Sequence, residues 1–414
     1  NIGGFNISLA YKDSQFDNYD IPNGAIIHSE DEHHDEDEHH DEDEHHDEDE
    51  HEGERIFSTT ESDVFDIEGA YVVNSSWLRK INYFFRSSDY LHTEQHAEEE
   101  GHHDEDEHHD EDEHHDEDEH DEHGHSEGPT NFENKAKEFG FIFDLTNDVV
   151  EQKLSINYVE EEISIIGAEA FMRPTDNEEL SIGYYLCKEF GLFDLDLGIR
   201  YDDISRKGSL IHHEEEHHDE DEHHDEDEHH DEDEHEMEID YFNKDYSETS
   251  FAVNFAREVN DNFTVSLGLA RVERAPSSVE LFMNGAHLAT GRFEVGNTEL
   301  ESETANNIDL NIFYQNNNFS LRGNIFKNDI DNYIYLQDET EEEHEEHEEH
   351  DDHGGLILAN YLQKDAELEG YEFEISQVFA FDRGNLTLSL GRDSVTGEFK
   401  NGMNIPRIVP ARNI

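Results

Sequence analysis

Apolar residues recur at every second position in run after run of this chain. Phe5, Ile7, Leu9 and Tyr11 alternate with Asn6, Ser8 and Ala10. The same period returns in Phe193, Leu195, Leu197, Ile199 and Tyr201, in Phe263, Val265, Leu267 and Leu269, in Ile308, Leu310, Ile312 and Tyr314, and in Leu386, Leu388 and Leu390. Residues two apart on an extended chain share a face. Each run therefore predicts a strand with one apolar face and one polar or small-residue face. No stretch carries a comparably long helical period, so the expected fold is all-β.

The connections sharpen this reading. Long ones are expected near 13–63, 88–131, 160–178, 204–246, 274–300, 338–356 and 393–405, and tight turns near 73–77, 145–149, 188–191, 259–262, 315–318 and 381–385. Long and short alternate. In an up-and-down meander successive connections emerge at opposite ends, so all the long ones leave from one end, the asymmetry of transmembrane β-barrels. About fourteen strands can be traced. An open sheet with two long free edges invites aggregation, so further strands are expected outside the chain, the last one near Val409–Ile414 being cut short. The opening Asn1-Ile2-Gly3-Gly4, with neither initiator Met nor signal peptide, is expected to be a trimmed start.

Composition first pulls the other way. A mean hydropathy of −0.98 and a formal charge of −85 over 414 residues are values typical of disorder. The charge is concentrated, however. Of the 111 acidic residues, 64 fall in four tracts at 28–54, 94–127, 214–238 and 338–353, which hold no Lys or Arg. What remains is acidic but foldable, an ordered scaffold with four charged insertions. No apolar run reaches the ~18 residues of a transmembrane helix, but a transmembrane strand needs only about 9–11 with alternate residues facing lipid. The single cysteine, Cys187, excludes an internal disulfide and a thiolate-rich metal site. It is expected to be a plain buried or lipid-facing thiol.

The tracts carry the candidate chemistry. Three repeat His-His-Asp-Glu-Asp-Glu with a period of six: His33, His34, His39, His40, His45 and His46; His102, His103, His108, His109, His114 and His115; His217, His218, His223, His224, His229 and His230. In the fourth, His344, His347, His350 and His353 are three apart. Of 33 histidines, 32 lie in or beside the tracts. Plain acidic runs are solvating spacers, but solubility never requires imidazole. Neutral imidazole and carboxylate are ligands of Zn²⁺, and Cu²⁺ and Ni²⁺ compete for such N-rich sites; calcium or magnesium would call for oxygen without histidine. A six-residue period advances a helix by about 600° and keeps no histidine face, so many weak exchanging sites are expected, whereas the fourth tract could pair its histidines on a helix.

The segment from Arg274-Ala275-Pro276 through Glu280-Leu281-Phe282-Met283-Asn284-Gly285-Ala286-His287-Leu288-Ala289-Thr290-Gly291, continuing Phe293-Glu294-Val295-Gly296-Asn297 and Leu300-Glu301-Ser302-Glu303, resembles the barrel of TonB-dependent outer-membrane receptors. So does Asn404-Ile405-Pro406-Arg407-Ile408-Val409-Pro410. With the histidine-rich loops, the chain is similar to zinc-uptake receptors of the ZnuD type; Ala286 departs from the proline more usual there. The resemblance implies a closed barrel of about 22 strands around an N-terminal plug, in outer-membrane lipid, with extracellular tracts and import driven by the TonB–ExbB–ExbD complex. Plug and TonB box are absent from this sequence.

His287, the one histidine away from the tracts, lies in that motif. It is either a hydrogen-bonded structural residue or a zinc ligand facing the lumen, with Glu94 and His92, or Glu169, as possible companions. The main expectation is import of divalent metal, zinc first. Its rivals are a receptor for a siderophore, haem or cobalamin, and a surface metal buffer or adhesin without transport. No nucleophile–base set, phosphate loop or cofactor fingerprint marks an enzyme, and a nucleic-acid partner is not expected.

Overall fold

The computed structural model describes residues 4–21, 56–73, 75–96, 128–167, 170–212, 238–287, 290–340 and 356–406. The elements are β1 (Phe5–Ile21), β2 (Ile56–Val72), β3 (Lys80–His96), β4 (Thr130–Asp144), β5 (Glu151–Ile166), β6 (Thr175–Glu189), β7 (Asp194–His212), β8 (Glu238–Asn260), β9 (Phe263–Arg274), α1 (Ser278–Phe282), β10 (Asn284–His287), β11 (Arg292–Val295), β12 (Glu303–Gln315), β13 (Phe319–Asp338), β14 (Ile357–Phe381) and β15 (Gly384–Phe399). The long strands β1–β9 and β12–β15 pair in an antiparallel meander and form a wall. Short turns close one end with Asx caps: the side-chain oxygens of Asn147, Asn260 and Asn316 accept backbone N–H groups two residues on.

The pairing registers carry one face across the wall. Leu9 lies opposite Ile67, Ile67 opposite Phe85, Phe85 opposite Phe139 and Phe139 opposite Tyr158. Further round, Leu267 faces Leu310, Leu310 faces Ile325 and Ile325 faces Tyr371. These side chains point away from everything the protein builds: Leu9 is 64% exposed and Ile325 53%. A continuous bare apolar surface of this extent fits hydrocarbon, not water. Trp77, Phe190 and Phe193 sit at the short-turn rim, where aromatic residues girdle a bilayer interface. No helix among the described residues is long and apolar enough to cross a membrane; the strands supply the crossing. The opposite face carries ion pairs and hydrogen bonds such as Asp66–Arg86 and Glu138–Asn157.

Three expectations are revised. The strands run 15 residues and more in nearly every case, up to 25 in β14, well past what the alternation marked. Above the apolar band both faces are wet, so the outer row turns to Lys135, Lys137, Glu160, Glu162, Lys207 and Asp329 and loses the hydrophobic period while the backbone ladder continues. β2 therefore begins at Ile56 and β3 runs to His96, inside what were expected to be loops. Second, the expected loop at 274–300 is largely ordered and holds α1 and a hairpin. Third, the thirteen wall strands described are joined by the two of that hairpin, fifteen in all among the described residues, and the strand expected near Val409–Ile414 lies outside them.

The connection between β9 and β12 folds inward. α1 starts with a capping box in which the Ser277 hydroxyl accepts from Glu280 N–H and the Glu280 carboxylate accepts from Ser277 N–H. Its Phe282 ring lies against the inner face of β7 at Gly208, where any Cβ would stand 2.5 Å from the ring. Leu281, Phe282, Met283 and Leu300 then form a core with Ile165, Phe171, Met172 and Ile334. β11 pairs with β10 on one side and, in parallel, with Ile357–Asn360 of β14 on the other. β10 meets the β5–β6 connection, where Met283 bridges Met172 and Asn284 N–H donates to Phe171 O at 2.8 Å. A strap of β structure thus runs from β14 to β5–β6 in about three inter-strand steps of ~4.8 Å. Along the wall the same two places are separated by β7, β8, β9, β12 and β13.

Candidate metal site at the mouth of the barrel

The strap carries His287. Its Nδ1 stands 3.1 Å from Glu294 Oε1, and its ring stacks on Phe171 with centroids 4.6 Å apart. The hairpin brings the two together: His287 ends β10, Gly291 turns the chain at φ +64°, and Glu294 returns on β11 on the same face. The Glu294 side chain is 5% exposed and that of His287 29%. The Thr290 hydroxyl lies 2.9 Å from Glu294 Oε1 and 3.0 Å from the His287 carbonyl. Arg292, on the same hairpin face, pairs with Asp338, and that hydrogen bonding raises the guanidinium pKa.

His92 lies on the inner face of β3. Its Nδ1 is 3.0 Å from Thr60 Oγ1 and its Nε2 3.0 Å from Glu94 Oε1. Both ring nitrogens are thus engaged. Between His92 and His287 come two phenyl rings, Phe132 at 5.7 Å from His92 and Phe171 at 5.8 Å from Phe132. The structure therefore forms two imidazole–carboxylate pairs, not one joint cluster, and no group of three or more His, Cys, Asp or Glu side chains converges among the described residues. Glu169 and the tract histidines lie outside the described residues. The strand ends that flank the tracts, Ile21 and Ile56, His96 and Thr130, His212 and Glu238, Asp338 and Ile357, all lie at the end of the wall that holds the strap.

Sequence reasoning missed Glu294, Thr290 and Thr60. The Thr290-Gly291 step between two short alternating runs was the available sign of a hairpin that would bring Glu294 back beside His287. Below the strap, Asp202 and Glu248 face each other across β7 and β8, both buried. Burial raises the pKa of Glu248, on the stretch of β8 above the apolar band, although the Ser302 hydroxyl donates to its carboxylate.

A lipid-facing apolar band, a polar inner wall, long connections at one end and tight turns at the other define a transmembrane β-barrel of the outer-membrane type. Residues 6–412 match the family model described as TonB dependent receptor-like, beta-barrel, and the chain belongs to that family, whose members are outer-membrane transport receptors and not enzymes. Among solved structures it is similar to the copper transporter OprC, with a TM-score of 0.58 and 11% identity over 86% of this chain and 49% of that one. It is also similar to the FrpB iron transporter from Neisseria meningitidis, F3-3 variant (0.52, 13%, 84% and 46%). A third is the ferric yersiniabactin uptake receptor FyuA from Yersinia pestis (0.52, 10%, 86% and 46%). The chain spans about half the length of these proteins.

Proposed function

We propose that the receptor built on this wall imports a divalent metal ion, zinc first, with the four tracts as extracellular collectors and the His287–Glu294 pair as part of a lumen site that receives the ion. The observation that carries this reading is the coincidence of two features at one end of the barrel. The strand ends flanking all four His- and acid-rich tracts lie there, and so does the strap bearing His287. A dense negative field raises the local cation concentration, and neutral imidazole beside carboxylate is a zinc-type ligand set. A pair is not a complete site, so further ligands come from Glu169, the tracts or a plug. Transport inward then depends on a plug and the TonB–ExbB–ExbD complex. Cu²⁺ is the second cargo to test, because intrinsic affinity at N-rich sites favours it and one structural neighbour is a copper transporter.

Uptake of radioactive zinc by cells with and without the gene tests the proposal, with copper as competitor. Gene-dependent uptake is expected. Unchanged uptake would sink it and favour a siderophore, haem or cobalamin cargo; surface zinc that never enters the cell would favour a buffering role.

A further inference from the structure

We propose that Glu294 is a positioning residue, resting on the reading above: its carboxylate holds the Nδ1–H of His287 and so presents Nε2, as the lone-pair nitrogen, to a divalent cation in the barrel mouth. Three observations carry it. Oε1 of Glu294 is 3.1 Å from Nδ1, and in its ionised form that carboxylate can only accept, which places the ring proton on Nδ1. The carboxylate cannot wander: it is almost fully buried, and the Thr290 hydroxyl 2.9 Å away supports the same oxygen. The Phe171 ring stacked at 4.6 Å fixes the imidazole plane.

Nε2 of His287 meets no hydrogen-bond partner among the described residues, and the His287 side chain stays 29% exposed. His92 differs, since Thr60 and Glu94 occupy both of its nitrogens. A carboxylate behind a metal-binding imidazole sets its tautomer and raises its basicity, and losing such a partner costs about 10–100-fold in metal affinity.

Site-resolved chemical modification tests this in the full receptor, because the tryptic peptide from Ala275 to Arg292 contains His287 and no other histidine. Outer-membrane preparations are treated with diethyl pyrocarbonate over a zinc series, and modification of that peptide is read by mass spectrometry. In the wild type Zn²⁺ is expected to protect His287. In Glu294→Gln the half-protecting concentration should rise about 10–100-fold, Glu294→Asp should recover part of the loss, and amide exchange in β10 and β11 should match wild type. Equal protection of wild type and Glu294→Gln would overturn the role of Glu294 and leave zinc import standing. Absence of protection in the wild type, in cells whose zinc uptake depends on the gene, would overturn this proposal alone. Absence of both would remove the import reading as well.

Discussion

Arg292 grips Asp338 with a two-pronged ion pair, Nε to Oδ1 at 2.9 Å and Nη2 to Oδ2 at 3.0 Å. The pair joins the strap to the last residue of β13, where the fourth tract begins, while β11 adds to the start of β14 a few residues past its end. A guanidinium fork matches a carboxylate in a way that a lysine ammonium does not. Arg292→Lys is therefore expected to loosen the strap by about 1 kcal/mol, a modest figure because both side chains keep some solvent contact. Hydrogen exchange of the β10–β11 amides should speed up while the β12–β13 ladder is unchanged; unchanged exchange in the strap would show that the pair is ornamental.

Phe282 is fully buried, packed against the inner wall at Gly208 and its cross-strand partner Phe242. Phe282→Ala should cost about 3–5 kcal/mol, locally, through lost burial and the cavity left behind. Protease should then cut within 275–302 in the variant and not in the wild type, while the heat-resistant electrophoretic mobility of the barrel persists. Loss of the barrel itself would mean that this core supports the wall as well as the mouth.

The contrast between these two elements shows what was legible in the sequence. The wall was readable because lipid on one side and a wet lumen on the other write a period of two into Phe193–Tyr201 or Ile308–Tyr314. The alternation of long and short connections gave the ends. The upper strands were not readable, since Lys135, Lys137, Glu160 and Glu162 face water where the residues of the same row nearer the short turns face lipid. The strap was hidden for a different reason. Its strands of four residues pair with β14 and with the β5–β6 connection, partners more than sixty residues and more than one hundred residues away along the chain, and no local pattern encodes a non-local pairing. His287 could be singled out from composition; Glu294 was marked only by the turn at Thr290-Gly291 that brings it back beside that histidine.

Glu248 is 2% exposed, and burial lifts its pKa above the ordinary 4.5. A carboxyl whose folded pKa is raised favours the fold in its protonated form. Its contribution is fully present below the unfolded pKa and is lost as pH rises through the folded one. Glu248→Gln cannot ionise and keeps the shape. The unfolding temperature of the variant relative to wild type should accordingly increase from acid to neutral pH; a gap independent of pH would show that Glu248 bears no such load.

The membrane face can be tested on β12 alone. Leu310 points outward between Leu267 and Ile325, in the middle of the apolar band, while Asn306 points outward two rungs nearer the strap, opposite Asp329. The two positions share one strand and one face and differ only in height. Arginine near the bilayer midplane costs about 2–4 kcal/mol and close to nothing beyond the interface. Leu310→Arg should lower barrel stability in lipid vesicles by that amount and Asn306→Arg should leave it nearly unchanged. In a detergent micelle, which lets water reach the ring of charge, the difference should shrink. Equal penalties at both heights would mean that the band sits elsewhere on the wall, and with it the height at which His287 meets the outside.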